Sequence, residues 1–227
     1  MKRARKTILV VGLGRLGIAM CMKLSELKQR VVAVDRNPEK VKDISEYVDI
    51  SAQLNATEED ALSKIGAKEV DIAAVTIGEN IEASIVATTL LKGFEIPHII
   101  SRAQNHLHAK ILAKVGADRV IFPEKEMGER VAERLVNPWL NRFSQYPQLG
   151  SLVGEIEPLP DMTGKSLAGQ QFRKKYELIV LLIKKNGKYM IPGPNTVIES
   201  EDTLLVAGPE KCVKKIVNYQ ETDNDDF

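Results

Sequence analysis

Two cysteines, one tryptophan and a net charge of only +1 leave several function classes without support in this 227-residue chain. Cys21 and Cys212 are far apart in sequence and form no C-x-x-C pair, so they suit a reducing cytoplasm better than a disulfide framework. The 32 basic and 31 acidic residues nearly cancel, and no global field argues for nucleic acid or an anionic membrane as partner. No stretch approaches the roughly 20 apolar residues of a membrane helix. The basic start, Lys2, Arg3, Arg5 and Lys6, precedes an apolar run too short for a secretory signal, and no small-residue cleavage site follows. A Walker lysine and a G-x-S-x-G elbow are missing, and no residue stands out as a hydride-transfer acid or as the base of a hydrolase. Binding without chemistry is the economical expectation. Low-complexity tracts and a convincing internal repeat are absent as well.

What the chain does contain is Gly12-Leu13-Gly14-Arg15-Leu16-Gly17, directly after the apolar run 7–11. Asp35 ends the next apolar run, 31–34, about 20 positions on, as a nucleotide-binding fingerprint requires. Glycines there permit a tight turn and close approach of backbone N–H groups to a phosphate. The helix that follows offers its partly positive N-terminus to the same group. Asp35 would accept hydrogen bonds from ribose hydroxyls, and its charge would repel a 2′-phosphate, which argues for an adenine nucleotide and against NADP.

Residues 1–123 read as six strands (7–11, 31–34, 49–54, 72–77, 98–101, 120–122) alternating with five helices. That order predicts right-handed crossovers and an α/β fold with a doubly wound, parallel, Rossmann-like sheet. Asn37 before Pro38 marks a helix start, and Thr57 to Asp60 has the outline of a capping box. Gly66, Gly93 and Gly116 are expected to close helices in the left-handed conformation. Residues 124–146 read as a crossover helix and linker. Val131, Leu135, Trp139 and Phe143 form one apolar stripe on a helix that Pro138 should break or bend, and the stripe packs on its own domain or on a second subunit. Residues 147–220 form a smaller α+β domain: strand 151–159, helix 166–175, strands 178–184 and 188–191 joined by Asn186-Gly187, strand 203–207 and helix 210–218. Residues 221–227 read as a frayed acidic tail.

Ligands in open α/β sheets sit beyond the carboxyl ends of the strands. Arg15 can pair there with a terminal phosphate, or it is a solvated arginine near a helix start, where it opposes the dipole. Asn55 and Ala56 follow the third strand, Gly78 and Glu79 the fourth, and Arg102, Ala103 and Gln104 the fifth. Asn and Gln at such tips read adenine edges, or they serve turn chemistry and helix capping. His106 and His108, two apart, fall on different helix faces and are not a joint metal site. Glu124 is either a first-turn carboxylate favoured by the dipole or a ligand of a divalent cation held by nucleotide phosphates.

The chain resembles the cytosolic subunits of bacterial Ktr/Trk-type potassium uptake systems, the RCK or KTN family. Matching stretches are 11–17, 32–35, 55–59, 77–84, 102–105 and, most specifically, Gly116 to Gly128. The resemblance implies a regulator without catalysis, cytoplasmic and held at the inner face of the membrane by its partner, a potassium channel or transporter. It implies homodimers gathered into an octameric ring, with ATP favouring the conducting state and ADP the closed one, or NAD/NADH in their place. The implied nucleotide site comprises Gly12, Gly14, Arg15, Leu16 and Gly17 of the loop, with Arg15 at the terminal phosphate. Asp35 would meet the ribose beside Arg36, and Asn55 and Ala56 follow. Ile77, Gly78 and Glu79 would form the wall, and Arg102, Ala103, Gln104 and His108 would complete it. Glu124 would help hold Mg²⁺ or Ca²⁺. The second domain is similar to one that binds cyclic di-AMP in some relatives, with Arg173 the residue to test, although Glu177 stands where relatives commonly have glycine. The competing readings are an NAD(H)-dependent oxidoreductase and a free-standing nucleotide sensor.

Overall fold

The computed structural model describes residues 5–224. The chain divides into two compact units, with the boundary between Gly128 and Glu129.

In the first unit β1 (Thr7–Val11), β2 (Arg30–Asp35), β3 (Ile50–Gln53), β4 (Ile72–Val75), β5 (His98–Arg102) and β6 (Arg119–Ile121) form one sheet in the order β3-β2-β1-β4-β5-β6. All its pairings are parallel. The crossovers are α1 (Arg15–Glu26), α2 (Pro38–Ile44), α3 (Glu59–Lys64), α4 (Ile81–Gly93) and α5 (His106–Val115), and α6 (Pro123–Val136) follows β6. A sheet covered on both faces needs apolar residues at successive positions, and β1 and β2 supply them. Leu9, Val11, Val32 and Val34 enter one core, while Ile8, Val10, Val31 and Ala33 enter the other.

Local signals behaved unevenly. Asn37 caps α2 as expected, its side chain accepting from the Glu39 N–H at 2.9 Å with Pro38 behind it. The capping box at Thr57 does not form; Glu58 is the N-cap of α3 without a side-chain cap, because Thr57 is tied back to Asn55. Gly66 and Gly116 adopt positive φ, of 77° and 118°, but Gly93 stays helical, and Glu95 takes the left-handed position at φ 58°. β3 and β4 are shorter than expected, because the chain turns away at the carboxyl edge to build the site.

The second unit holds an antiparallel sheet in the order β10-β9-β11-β8-β7, made of β7 (Phe143–Tyr146), β8 (Ser151–Ile156), β9 (Ile179–Lys185), β10 (Lys188–Met190) and β11 (Thr203–Pro209). Helices α7 (Phe172–Tyr176) and α8 (Glu210–Asn224) accompany it. Asn186 and Gly187, at φ 49° and 77°, make the β9–β10 turn, as two left-handed residues should.

Two expectations are corrected here. The apolar stripe breaks at Pro138, one of the two outcomes expected there, but it does not resume as helix over the rest of 124–146. α6 ends at Val136, Pro138–Arg142 is a 3₁₀ turn, and Phe143 opens β7. Proline lacks the N–H to continue the helix, and Trp139, Leu140 and Phe143 instead enter the second unit's core, Trp139 edge-on to Phe143 at 5.6 Å. Val131, Leu135 and Val136 remain exposed. The helix expected over 166–175 is reduced to α7, because Ser166 pairs with Val197 in an isolated bridge. In the acidic tail, residues 221–224 continue α8, while Asp225, Asp226 and Phe227 lie outside the described residues.

Candidate functional site

Strand register brings the fingerprint residues to one level. Val11 lies beside Val34 and Val75, and Val75 beside Ser101. The next residues along these four strands are therefore Gly12, Asp35, Thr76 and Arg102, side by side at the carboxyl edge. The strand order reverses between β1 and β4, which is where open α/β sheets leave a crevice.

Gly12 leaves β1 at φ 99°, a conformation that favours glycine, and its N–H donates to the Val34 carbonyl at 2.8 Å. A Cβ on Gly12 would also lie 3.0 Å from the Ile77 backbone nitrogen. Leu13 is fully buried beneath the loop, which anchors it with roughly 1.5–3 kcal/mol of apolar burial. Gly14 is the N-cap of α1 and offers no side-chain cap. A Cβ there would meet nothing within 4 Å. The space beside Gly14 is open, and the first N–H groups of a helix such as α1 have no partner within the helix, which is what an anion-binding helix end uses. Gly17 is constrained by contact instead: its Cβ would collide with the Gly12 carbonyl and lie 2.8 Å from the Thr76 hydroxyl.

Arg15 is the first residue of α1, exposed, and makes no hydrogen bond or ion pair among the described residues. Leu16 is half-buried behind it. Asp35 turns inward: one carboxylate oxygen accepts from the Leu13 N–H at 2.6 Å and the other from the Asn37 N–H at 2.8 Å. Each oxygen keeps a further lone pair for a ribose hydroxyl. Arg36 is exposed, and its carbonyl accepts from Gln53 at 3.2 Å. Asn55 does turn chemistry, accepting from the Thr57 hydroxyl at 2.9 Å and donating to Glu58 at 3.0 Å, while Ala56 is buried behind it.

On the other side of the crevice, the Arg102 guanidinium lies against Gly78 so closely that a Cβ there would collide with it. Arg102 reaches both oxygens of Glu124, at 2.6 and 3.3 Å. Glu124 is 65% exposed, and such a pair is worth about 1 kcal/mol or less, so a charged ligand can redistribute it at little cost. Among the described residues no cluster of three His, Cys, Asp or Glu side chains could hold a metal ion. A cation at Glu124 would complete its shell from the ligand. The Gln104 side chain donates to the Gly78 carbonyl. Glu79 is exposed, Ile77 half-buried and Ala103 buried.

His108 and His106 diverge as their spacing implies. His106 is exposed and packs on Phe122 at 5.4 Å. His108 is buried, its Nδ1 accepting from the Gln104 N–H at 3.3 Å and its Nε2 lacking a hydrogen-bond partner. Burial holds the imidazole below its ordinary pKa of 6.5, so it stays neutral with the proton on Nε2. That Nε2 is closed off from solvent, so His108 is not on the crevice surface and supports it through Nδ1 and Gln104.

Sequence reasoning missed Thr76. Its buried hydroxyl lies 2.5 Å from the Gly12 carbonyl and 3.1 Å from that of Val11. The available signal was a polar residue immediately after the apolar run 72–75. Arg173 lies in the second unit, exposed on α7, and Glu177 ends that helix at φ 56°.

Comparison with known proteins decides the family. The TrkA-N domain model matches residues 8–123 and the TrkA-C domain model residues 155–220. This chain belongs to the TrkA-N/TrkA-C family. It is 37% identical over 214 residues to Ktr system potassium uptake protein A of Bacillus subtilis (strain 168), covering 94% of this chain and 96% of that one. Ktr system potassium uptake protein C of the same organism is 35% identical, with 90% and 92% covered. The protein A of Vibrio alginolyticus is 32% identical, with 92% and 96% covered. Among solved structures the GsuK RCK domain superimposes with a TM-score of 0.54 at 21% identity, over 94% of this chain and 46% of that one, which shows the shared fold. The family's TrkA-N segment contains every crevice residue described above except Glu124, which follows it at the start of α6. Among the described residues no helix is long and apolar enough to cross a membrane.

Proposed function

We propose that this chain is the nucleotide-sensing regulatory subunit of a potassium uptake system, reading ATP against ADP without consuming either. The observation that carries this reading is Arg15. A cation at a helix N-terminus costs about 0.3–1 kcal/mol unless an anion is present; the first turn of α1 holds no acidic residue, and the Arg15 guanidinium makes no ion pair among the described residues. An open N-cap at Gly14 beside an unpaired guanidinium fits a phosphate tail. The crevice fits the rest of a nucleotide, with Asp35 placed for ribose hydroxyls. The nearly full-length identity to proteins named for potassium uptake supports the system in which it would act.

A ligand biases a two-state protein only by its affinity difference between the states. ATP and ADP differ by one phosphate, and Arg15, with any cation held at Glu124, is where that difference would arise. A charge-assisted contact worth about 1.5–3 kcal/mol gives a bias of roughly tenfold to a hundredfold per site. The proposal extends to a homodimer, whose formation would cover the exposed Val131, Leu135 and Val136, to an octameric ring docked on a membrane subunit, and to cyclic di-AMP near Arg173.

Calorimetric titration with ATP, ADP and NADH, with and without Mg²⁺, tests the reading. Arg15→Ala is expected to leave the fold as stable as before and to narrow the gap between ATP and ADP affinity about tenfold or more. Equal wild-type affinities for the two nucleotides would overturn it. Tight NADH binding with turnover of a small carbonyl compound would favour an oxidoreductase instead.

A further inference from the structure

The Gly12–Leu13 peptide unit is held from both sides. Its carbonyl accepts from the Thr76 hydroxyl at 2.5 Å, and its N–H donates to Asp35 at 2.6 Å. Thr76 is 3% exposed and stands at the end of β4, whereas Asp35 ends β2, so the two strands flanking β1 grip one peptide between them. The Val11 carbonyl does not depend on the hydroxyl, because the Thr76 N–H already donates to it at 2.8 Å. Gly12, at φ 99°, is the residue in this turn whose lack of a Cβ makes rotation of the following peptide cheap. Rotated, its carbonyl would leave Thr76 and Gly17, and the peptide dipole would reverse. Carbonyl oxygen would then face the Asp35 carboxylate, which repels it, and Asp35 would lose the N–H that holds it at the crevice.

We propose that Thr76 is a positioning residue for nucleotide binding: its hydroxyl fixes the Gly12–Leu13 peptide in the orientation whose N–H holds the Asp35 carboxylate. This rests on the reading of the crevice as a nucleotide site. It assigns Thr76 an effect on the nucleoside through Asp35, shared by ATP, ADP and adenosine.

The test compares the wild type, Thr76→Val and Thr76→Ser by calorimetric titration with ATP, ADP and adenosine, with thermal unfolding of each protein alone. Valine keeps the shape and removes the hydroxyl, and serine restores it. Thr76→Val is expected to weaken ATP, ADP and adenosine alike by roughly threefold to tenfold, the worth of one hydrogen bond. Thr76→Ser is expected to bind like the wild type. Should the valine variant fail to fold, Thr76→Ala, which adds no atoms, carries the same expectation. Undiminished binding in the folded variant, or a loss confined to ATP and ADP, overturns the role of Thr76 while leaving the nucleotide site standing. A wild type that binds neither ATP nor ADP overturns both.

Discussion

Two glycines of one motif should respond to alanine in opposite ways. At Gly17 the added methyl would run into the Gly12 carbonyl and lie 2.8 Å from the Thr76 hydroxyl. Neither neighbour can yield, since one is pinned backbone and the other is buried and hydrogen-bonded. Helix propensity favours alanine by about 1 kcal/mol, but overpacking a rigid contact costs about 1–3 kcal/mol or more. The net expectation for Gly17→Ala is a loss of roughly 1–2 kcal/mol, a fall of roughly 3–8 °C in Tm for a domain of this size. At Gly14 the methyl meets nothing within 4 Å. The backbone there, φ −76° and ψ −175°, is open to any residue. Gly14→Ala should therefore leave Tm unchanged or raise it slightly through the unfolded chain. Its methyl would project into the space a phosphate needs, and ATP affinity should drop about tenfold or more. Differential scanning fluorimetry with and without ATP measures both effects on one plate. A stable Gly17→Ala variant, or a Gly14→Ala variant that loses stability but keeps its affinity, would refute the division of labour.

Other perturbations have equally definite expectations. Glu177 sits at φ 56° and contributes only an exposed carboxylate to Cys212 and Lys211, so Glu177→Gly should raise the second unit's stability by roughly 0.5–1 kcal/mol, read as a higher midpoint in denaturant. Burial depresses the pKa of His108 in the folded state, so the unfolded chain takes up its proton first as pH falls through about 6.5. Stability should therefore decline between pH 7 and 5.5, and His108→Asn should flatten that slope; an unchanged slope would exclude His108 as its source. Burial pushes the Cys21 thiol up to about 12, and burial together with the Glu177 carboxylate also raises Cys212, so neither should react with Ellman's reagent at pH 8 until the chain is unfolded.

The six-strand alternation was legible because each buried strand needs a short apolar run and each crossover needs a start signal, and both are local. The apolar stripe from Val131 to Phe143 was misread because its spacing has helical period throughout. Only the destination of Trp139 and Phe143 in a second core shows that the chain changes from helix to strand after Pro138. Left-handed positions were equally ambiguous: Glu95 rather than Gly93 carries that conformation after α4, since packing of the turn outweighed a steric cost of 1–2 kcal/mol. At the site, the glycine loop, Asp35 and Arg15 could be found by spacing alone. Thr76 could not, because its importance depends on β4 lying beside β1, a neighbour relation between residues 64 apart in the chain.

By itself, then, the order of residues determined a parallel doubly wound sheet with a smaller domain after it, and which glycine-rich loop lies at its carboxyl edge, because periodicity and glycine placement are properties of short segments. Tertiary structure decided how the pieces hold one another: Arg102 against Gly78 and Glu124, Thr76 and Asp35 on one peptide, and an imidazole kept neutral by burial. Those contacts join residues distant in sequence, and their strength comes from exclusion of water, which no local pattern encodes.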